Sequence, residues 1–468
     1  MHLRPPRWWT TPSLLLACAI LAPSLFRAPP LTAAPAAAPL DVPPVQYRER
    51  TLANGLQVLS VEDHASPTVA VQVWYHVGSK DDPQGRSGFA HLFEHLMFKS
   101  TAHMKAEQMD RLTEDVGGNN NASTGDDITN YFEVVPSNYL RTLLWAEAER
   151  LSNLRVDEAN FKSERAVVEE EYRQSVLAPP YGRFQYALQS NSYAVHPYQR
   201  PTIGSIEDLD AAALDDVVAF HRTYYRPDNA TLIVVGDFEP AQFDTWVDQY
   251  FAALKKPAEA IPRVTAVEPE RTTNRRLVVR APNVPLPAVG LTWLGPPAKS
   301  ADAPALRVAA ALLAGGESSR FHQSLVYRQR LAQDTGFDFT DTADRGLLIA
   351  TAVLASGKKT ADAEAALLAE IDRAQKKPIS PAELDKAKTQ LLTKALESRE
   401  TNQGKGFALG NAVILSGDAT RVNRDLDALQ AVTAADVQRV LKHYVTSRPR
   451  VVVEYLPESA KAAAGEAK

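Results

Sequence analysis

The 468-residue chain is too long for one average domain and has room for two or three domains of about 150 residues each. Apolar residues make up 45% and charged residues 23%, a composition typical of a folded globular protein, which excludes wholesale disorder. The net charge of −5 comes without a long run of one sign, so we expect no nucleic-acid partner, which would need a clustered basic face.

Residues 1–38 predict a signal peptide followed by a Pro/Ala-rich segment. Arginines precede an apolar stretch at 14–26 that is short for a membrane span. Cleavage near Ala34 or Ala38 would leave a mature protein without cysteine and therefore without disulfides. We expect a periplasmic or secreted protein, with a lipoprotein anchored through Cys18 as the alternative. No later segment predicts a membrane span.

A pattern of helix, proline-marked turn and buried strand occurs twice in the chain. It starts at Asp216 and ends in an apolar run at 230–235. Asp436, 220 positions later, starts the same pattern, which ends in an apolar run at 451–453. Self-similarity at a fixed offset indicates a duplicated structural unit.

The duplication predicts an α+β fold of two homologous domains, each a mostly antiparallel sheet packed with helices. We place the N-terminal domain at 39–265, the C-terminal domain at 266–457 and a flexible tail at 458–468. Apolar runs at 56–61 and 69–75 resemble a hairpin and favour antiparallel pairing of these two strands.

The sequence at His91–His95 reads His-x-x-Glu-His and lies in an apolar stretch that predicts a buried helix. Residues four apart share one face of a helix, so His91 and His95 can bind one metal ion through their imidazole nitrogens. Glu94 lies beside this face, where it can reach the open position of the metal without ligating it. A general base there can take a proton from a zinc-bound water, whose pKa the metal lowers.

Catalytic zinc sites usually have three protein ligands, and a glutamate-rich helix predicted at 157–174 is the best source of the third. Glu164 and Glu171 are seven residues apart and share a helical face, whereas Glu169 and Glu170 rotate away from it. The spacing alone does not choose among these glutamates.

These motifs resemble the pitrilysin/insulinase zinc metallopeptidases, or inverzincins, and within them the mitochondrial-processing-peptidase-like branch. The resemblance covers nearly the whole mature chain. It rests on residues 88–98, on the Glu-Arg-x-Val-Val-x-Glu-Glu pattern at 164–171 and on the Tyr-Arg-Pro-Asp-Asn-Ala-Thr stretch at 225–231.

The resemblance implies one Zn²⁺ per chain, bound by the N-terminal domain, and no zinc motif in the C-terminal domain. It implies His91, His95 and Glu171 as the metal ligands and Glu94 as the catalytic base. Glu164 corresponds to a second catalytic-site carboxylate of the family, near the metal but not bound to it.

A Gly/Asn-rich segment at 117–124 resembles a family segment in which a turn leads into an edge strand. In the family, the backbone of that strand pairs with an extended substrate peptide. We therefore predict that Asn121, Ala122, Ser123 and Thr124 bind the substrate. A turn without such a role is the alternative.

The resemblance implies a zinc-dependent endopeptidase that hydrolyses extended or unfolded peptides in a chamber formed by two subunits. Family members hold the substrate with an Arg and a Tyr, and alignment of this chain puts Val326 and Gln333 at those positions. We therefore expect a heterodimer with a paralogue that carries the Arg/Tyr pair. A homodimer is the alternative, as is an alignment shifted by two residues, since Tyr327 and Arg328 lie nearby. The alternative function is a non-catalytic structural or assembly subunit of the same fold.

Overall fold

The computed structural model describes residues 42–458. The predicted signal peptide and Pro/Ala-rich segment, and all but the first residue of the predicted tail at 458–468, lie outside the described residues. Within 42–458, no helix combines the length and the apolar character that a membrane span requires.

The strands form two mostly antiparallel sheets. In chain order they are β1 (Arg48–Thr51), β2 (Gln57–Glu62), β3 (Thr68–Tyr75), β4 (Asn119–Thr124), β5 (Thr129–Pro136), β6 (Ala230–Gly236), β7 (Arg275–Ala281), β8 (Ala288–Leu294), β9 (Ala332–Phe339), β10 (Leu347–Leu354) and β11 (Val451–Pro457). The first sheet has the order β1-β2-β6-β3-β5-β4 and the second has the order β7-β11-β8-β10-β9.

Helices pack on both sheets. They are α1 (Phe89–Leu96), α2 (Gln108–Glu114), α3 (Leu140–Asn153), α4 (Glu158–Tyr172), α5 (Gly182–Ser190), α6 (Ile206–Asp210), α7 (Leu214–Tyr224), α8 (Pro240–Phe251), α9 (Ala303–Ala314), α10 (Thr360–Lys376), α11 (Pro381–Arg399), α12 (Asn402–Ser416), α13 (Arg421–Ala431) and α14 (Ala434–Tyr444). Wide π-helical turns follow α4 at Arg173–Leu177 and α9 at His322–Arg328. The α+β fold predicted from the sequence is confirmed.

The two sheets share one topology. The order β2-β6-β3-β5-β4 in the first sheet corresponds to β7-β11-β8-β10-β9 in the second, and in each sheet the first two of these strands are parallel. The repeated sequence pattern corresponds to α7 followed by β6 and to α14 followed by β11. The boundary predicted between 265 and 266 falls in the connection between α8 and β7, and its position stays a prediction.

The hairpin expected from the runs at 56–61 and 69–75 is wrong. Strand β6 lies between β2 and β3, parallel to the former and antiparallel to the latter. Every residue of β6 is buried. A strand that is apolar on both faces belongs in the interior of a sheet. The residue alternation within β2 and β3 does not indicate that β6, more than 150 residues later in the chain, lies between them.

Each half of the chain contributes a helix to the sheet of the other half. Helix α12 covers the outer face of the first sheet, where its Leu409 and Val413 pack in one apolar cluster with Trp74. Helix α5 covers a face of the second sheet, where Phe184 packs in a cluster with Tyr455. Because of this exchange, residues 42–458 form one compact unit.

Candidate functional site

Helix α1 begins at a glycine and an aspartate cap. Gly88 precedes the helix with a φ of 95°, in the left-handed region where glycine is favoured. The carboxylate of Asp82 accepts hydrogen bonds from the backbone N–H groups of Gly88 (2.7 Å) and Ala90 (2.9 Å). Burial raises the pKa of Asp82 to about 7, although these hydrogen bonds oppose the shift. The cap satisfies first-turn donors and so fixes where the helix starts.

The side chains of His91 and His95 lie on α1 and face Glu171 of α4. Oε2 of Glu171 is 3.6 Å from Nε2 of His91 and 3.4 Å from Nε2 of His95. Two atoms that each lie about 2.1 Å from one tetrahedral zinc ion are about 3.4 Å apart. The ligand atoms of the three residues lie within 4.8 Å of one another. The donor set therefore fits a zinc ion held by two imidazoles and one carboxylate.

Protonation of the two histidines differs because their surroundings differ. Burial, with a smaller contribution from the charge on His95, lowers the pKa of His91 to about 4, so its imidazole is neutral at pH 7. Burial also acts to lower the pKa of His95, but the contact with the carboxylate of Glu164 and the charges of Glu171 and Glu94 outweigh it and raise that pKa. Negative charge is thus in excess around His95, where a bound cation would balance it.

Glu94 points from α1 toward strand β4. Its Oε2 accepts a hydrogen bond from the hydroxyl of Thr124 at 2.6 Å. Burial raises the pKa of Glu94, opposed by this hydrogen bond and by the charge on His95. A raised pKa brings a carboxylate closer to the operating pH, where a general base is most effective.

Glu164 is buried behind His95 and lies outside the three-ligand set. Its Oε2 is 3.7 Å from Nδ1 of His95, and its Oε1 is 2.9 Å from Nζ of Lys99. Burial acts to raise the pKa of Glu164, but the contacts with His95 and Lys99 outweigh it and lower that pKa. A carboxylate at the second nitrogen of a ligand histidine orients the ring. Lys99 was not singled out from the sequence, although its position four residues after His95 is a usable signal.

The structure separates the glutamates of α4 that spacing alone left open. Glu169 lies 3.7 Å from Arg165 and 3.4 Å from Arg173, and Glu170 lies 3.4 Å from the same Arg173. Both point away from the histidines into ion pairs on the helix surface. Among the described residues, Glu171 is the glutamate that completes the cluster.

The segment predicted to bind substrate lies in β4, the edge strand of the first sheet. Strand β4 pairs with β5 on one side, which leaves its outer backbone edge without a strand partner within 42–458. Asn121 is exposed, Ala122 is buried in the core, and the Ser123 hydroxyl donates to Oδ1 of Asn130 at 2.5 Å. Thr124 reaches Glu94. The geometry is that of a strand open to an additional peptide, and peptide binding by these residues stays a prediction.

Val326 and Gln333, the residues we predict at the positions of the family's Arg and Tyr, both lie in the second half of the chain. Val326 lies in the turn His322–Arg328 and is partly buried against the core of the second sheet. Gln333 is exposed on β9. The side chain of the neighbouring Tyr327 is 71% exposed.

Two models of known protein families match this chain, one in each half. A family model described as insulinase (peptidase family M16) matches residues 57–205, which include α1, β4 and α4. A second model, described as the peptidase M16 inactive domain, matches residues 212–391.

Individual relatives extend the match over most of the chain. Zinc protease PqqE of Helicobacter pylori is 36% identical over 348 residues, which cover 73% of this chain and 78% of that protein. A probable mitochondrial-processing peptidase subunit beta of Arabidopsis thaliana is 23% identical over 86% of this chain and 76% of its own length. The crystal structure of a protease from Helicobacter pylori superposes with a TM-score of 0.84 at 31% identity, covering 88% of this chain and 99% of that one. The chain therefore belongs to the pitrilysin/insulinase family of peptidases, family M16.

Proposed function

We propose that this chain is a zinc-dependent endopeptidase that hydrolyses extended or unfolded peptides in a chamber formed by two subunits. The observation that carries the proposal is the convergence of His91, His95 and Glu171 on one point, with Glu94 beside them. A scaffold has no physical need for a half-buried carboxylate without a cationic partner of its own next to such a cluster. The name of the relative from Helicobacter pylori, a zinc protease, agrees with this function.

The roles of the side chains follow from their positions. Zinc held by the ligand set would supply a Lewis acid that polarises a peptide carbonyl and lowers the pKa of water. Glu94 takes the proton of the attacking water and passes it to the departing amine. Strand β4 holds the peptide through its free backbone edge, and Thr124 at the end of that strand orients the carboxylate of Glu94.

We propose a heterodimer with a paralogue that carries the Arg/Tyr pair, and a homodimer as the second arrangement. Val326 and Gln333 offer no cationic or phenolic group to stabilise charge on a substrate carbonyl. Oxyanion donors are commonly worth about 3–4 kcal/mol of barrier, so a chain paired only with itself should be a slow enzyme. The Arabidopsis thaliana relative is itself named as a subunit.

A non-catalytic structural or assembly subunit is the second candidate function. The observation in its favour is the same pair of side chains, Val326 and Gln333, together with the match of residues 212–391 to a domain described as inactive. The complete ligand set with its base favours the peptidase.

We also propose that the mature protein is exported to the periplasm or secreted. The support is the sequence of residues 1–38, with its arginines, short apolar stretch and alanine-rich cleavage region. Amino-terminal sequencing of the mature protein and fractionation of the cells test this proposal.

The test of the enzyme is cleavage of an unstructured fluorogenic peptide by the purified mature chain, alone and co-expressed with a paralogue that carries the Arg/Tyr pair. We expect about one zinc per chain, slow cleavage by the chain alone and at least tenfold faster cleavage by the pair. A chelator should abolish the activity and added zinc should restore it. Fast cleavage by the chain alone would contradict the heterodimer, and zinc-loaded pairs without activity would favour the structural subunit.

Replacement of Thr124 by valine should lower kcat/KM about ten- to a hundredfold, because a hydrogen bond to a charged group contributes roughly 1.5–3 kcal/mol. Valine keeps the shape of threonine but leaves Oε2 of Glu94 without its donor. The matched control is Thr124→Ser, which keeps a hydroxyl at this position. Zinc content should be the same in both variants. Equal activity of the valine and serine variants would show that the hydrogen bond has no role in catalysis.

A further inference from the structure

A buried carboxylate, that of Asp127, holds the turn at 125–128 that joins β4 to β5. The Asp127 side chain is 4% exposed. Its Oδ1 accepts hydrogen bonds from Nζ of Lys80 and from the hydroxyl of Tyr198, both at 2.6 Å. Its Oδ2 accepts a hydrogen bond from the backbone N–H of Ala343 at 2.9 Å. The carboxylate is therefore held from both oxygens, with one of the donors a cation.

These contacts join the two halves of the chain. Lys80 and Tyr198 belong to the first half, whereas Ala343 lies in the turn between β9 and β10 of the second sheet. The hydroxyl of Tyr198 also accepts a hydrogen bond from the backbone N–H of Asp344 at 3.1 Å. The carboxylate of Asp344 lies 3.9 Å from Nζ of Lys80. Asp127 is thus the point where the turn after β4 meets the second half.

Backbone contacts hold the same turn from its other side. The backbone N–H groups of Ser79 and Lys80 donate to the carbonyl oxygens of Gly125 (3.1 Å) and Asp126 (3.2 Å). A Cβ at Gly78 would lie 2.5 Å from the carbonyl group of Asp126, so only glycine permits this approach. The turn has little freedom to move while these contacts last.

The position of this turn bears directly on the reacting groups. Thr124, the last residue of β4, is three residues before Asp127 and donates its hydrogen bond to Glu94. A displacement of the turn would move this end of β4, and misplacement by about 1 Å near a reacting centre can cost about a hundredfold in rate.

We propose that Asp127 is a positioning residue that fixes the catalytic end of strand β4 and couples it to the second half of the chain. The inference rests on the proposed function, because β4 is there the strand that holds the peptide. It adds a role for the second half within one chain: its β9–β10 turn sets the position of the substrate strand.

Two variants loosen the contact and a third serves as the control. Asp127→Asn removes the charge, and Tyr198→Phe removes one donor to Asp127 while the ring remains. Tyr193→Phe is the control, because the Tyr193 hydroxyl donates to the carbonyl oxygen of Arg345 at 3.1 Å, in the same β9–β10 turn, without contact to Asp127. Tyr193 and Tyr198 are both buried, so the two phenylalanine variants differ in the partners they lose: Asp127 and the backbone N–H of Asp344 for Tyr198, and the carbonyl of Arg345 for Tyr193.

The test is backbone hydrogen exchange of residues 119–128, with zinc affinity and kcat/KM measured on the same proteins. In Asp127→Asn and Tyr198→Phe we expect exchange about tenfold faster in this segment, unchanged zinc affinity and kcat/KM lowered about tenfold. Tyr193→Phe should leave the segment and kcat/KM unchanged. Exchange as slow in Tyr198→Phe as in the wild type, or equally fast in Tyr193→Phe, would overturn the proposal.

The readouts keep this inference separate from the proposed function. Hydrogen exchange needs no peptidase activity, so it decides the role of Asp127 even if the wild-type chain cleaves no peptide. If Asp127→Asn does not fold, Tyr198→Phe, which lacks a single hydroxyl, decides the question alone.

Discussion

Replacement of Glu94 by glutamine is expected to slow peptide cleavage about a thousandfold, while the zinc content stays at the wild-type level. General-base catalysis contributes about 10²–10⁴-fold, and glutamine cannot accept the proton that Glu94 takes. The amide can still accept the hydrogen bond from Thr124, so the local packing should persist. Zinc should remain bound because Glu94 is not part of the cluster formed by His91, His95 and Glu171. The measurements are kcat for a fluorogenic peptide and metal content by elemental analysis.

The control for this substitution is Glu170→Gln, the same chemical change at a glutamate of α4 whose side chain is 56% exposed. It should leave kcat and zinc content unchanged. If Glu94→Gln retained more than about a tenth of the activity, another group would have to be the base. If it lost zinc, Glu94 would have to support the metal site as well.

Most of the candidate metal site could be predicted because it depends on short-range geometry. His91, Glu94 and His95 occupy one turn and a half of a helix, where their relative positions follow from the helical period alone. Helical spacing also placed Glu164 and Glu171 on a common face, but it could not choose between them. That choice depends on how α4 packs against α1, which brings Glu171 to both histidines and leaves Glu164 beside His95 and Lys99.

Features that depend on distant parts of the chain were the ones the sequence did not reveal. The α+β fold with two similar sheets could be predicted because the duplicated pattern is local within each half. The insertion of β6 between β2 and β3 could not, because a strand's own alternation does not identify its neighbour. The contact of Asp127 with the second half likewise joins residues more than 200 positions apart, and no motif marks it.

An ion-pair network in the core of the first half supports the helix that carries the site. The side chains of Arg150, Glu133 and Glu147 are fully buried. Arg150 donates to Glu133 at 2.8 Å and also to Glu147, and its guanidinium lies 4.8 Å from the ring centre of Tyr131. The Tyr131 hydroxyl in turn donates to the backbone carbonyl of Phe93 in α1 at 3.0 Å. The network thus contacts helix α1 through Tyr131.

Arg150→Met is expected to lower the free energy of unfolding by about 3–5 kcal/mol, since it removes the cation from two buried carboxylates. Burial, and then the charge of Glu147, already raises the pKa of Glu133 well above its usual range. Without Arg150, the carboxylate of Glu133 would take up a proton in the folded state at pH values where the unfolded chain has released it. A carboxylate whose pKa is higher in the folded than in the unfolded state stabilises the fold at low pH, and this contribution is lost as the pH rises. The loss of unfolding free energy in Arg150→Met should therefore be larger at pH 8 than at pH 5. Urea unfolding at both pH values measures it.

The control is Arg48→Ala, which breaks an ion pair with Asp244 but at a side chain that is 54% exposed. Exposed pairs contribute about 0–1 kcal/mol, so this variant should unfold at nearly the wild-type urea concentration at both pH values. The triple variant Glu133→Gln, Glu147→Gln, Arg150→Met should recover part of the loss and show less pH dependence, because no ionisable group remains in the network. A loss in Arg150→Met that is the same at pH 5 and pH 8 would mean that packing of the long side chain against Tyr131, rather than charge balance, is what stabilises this core.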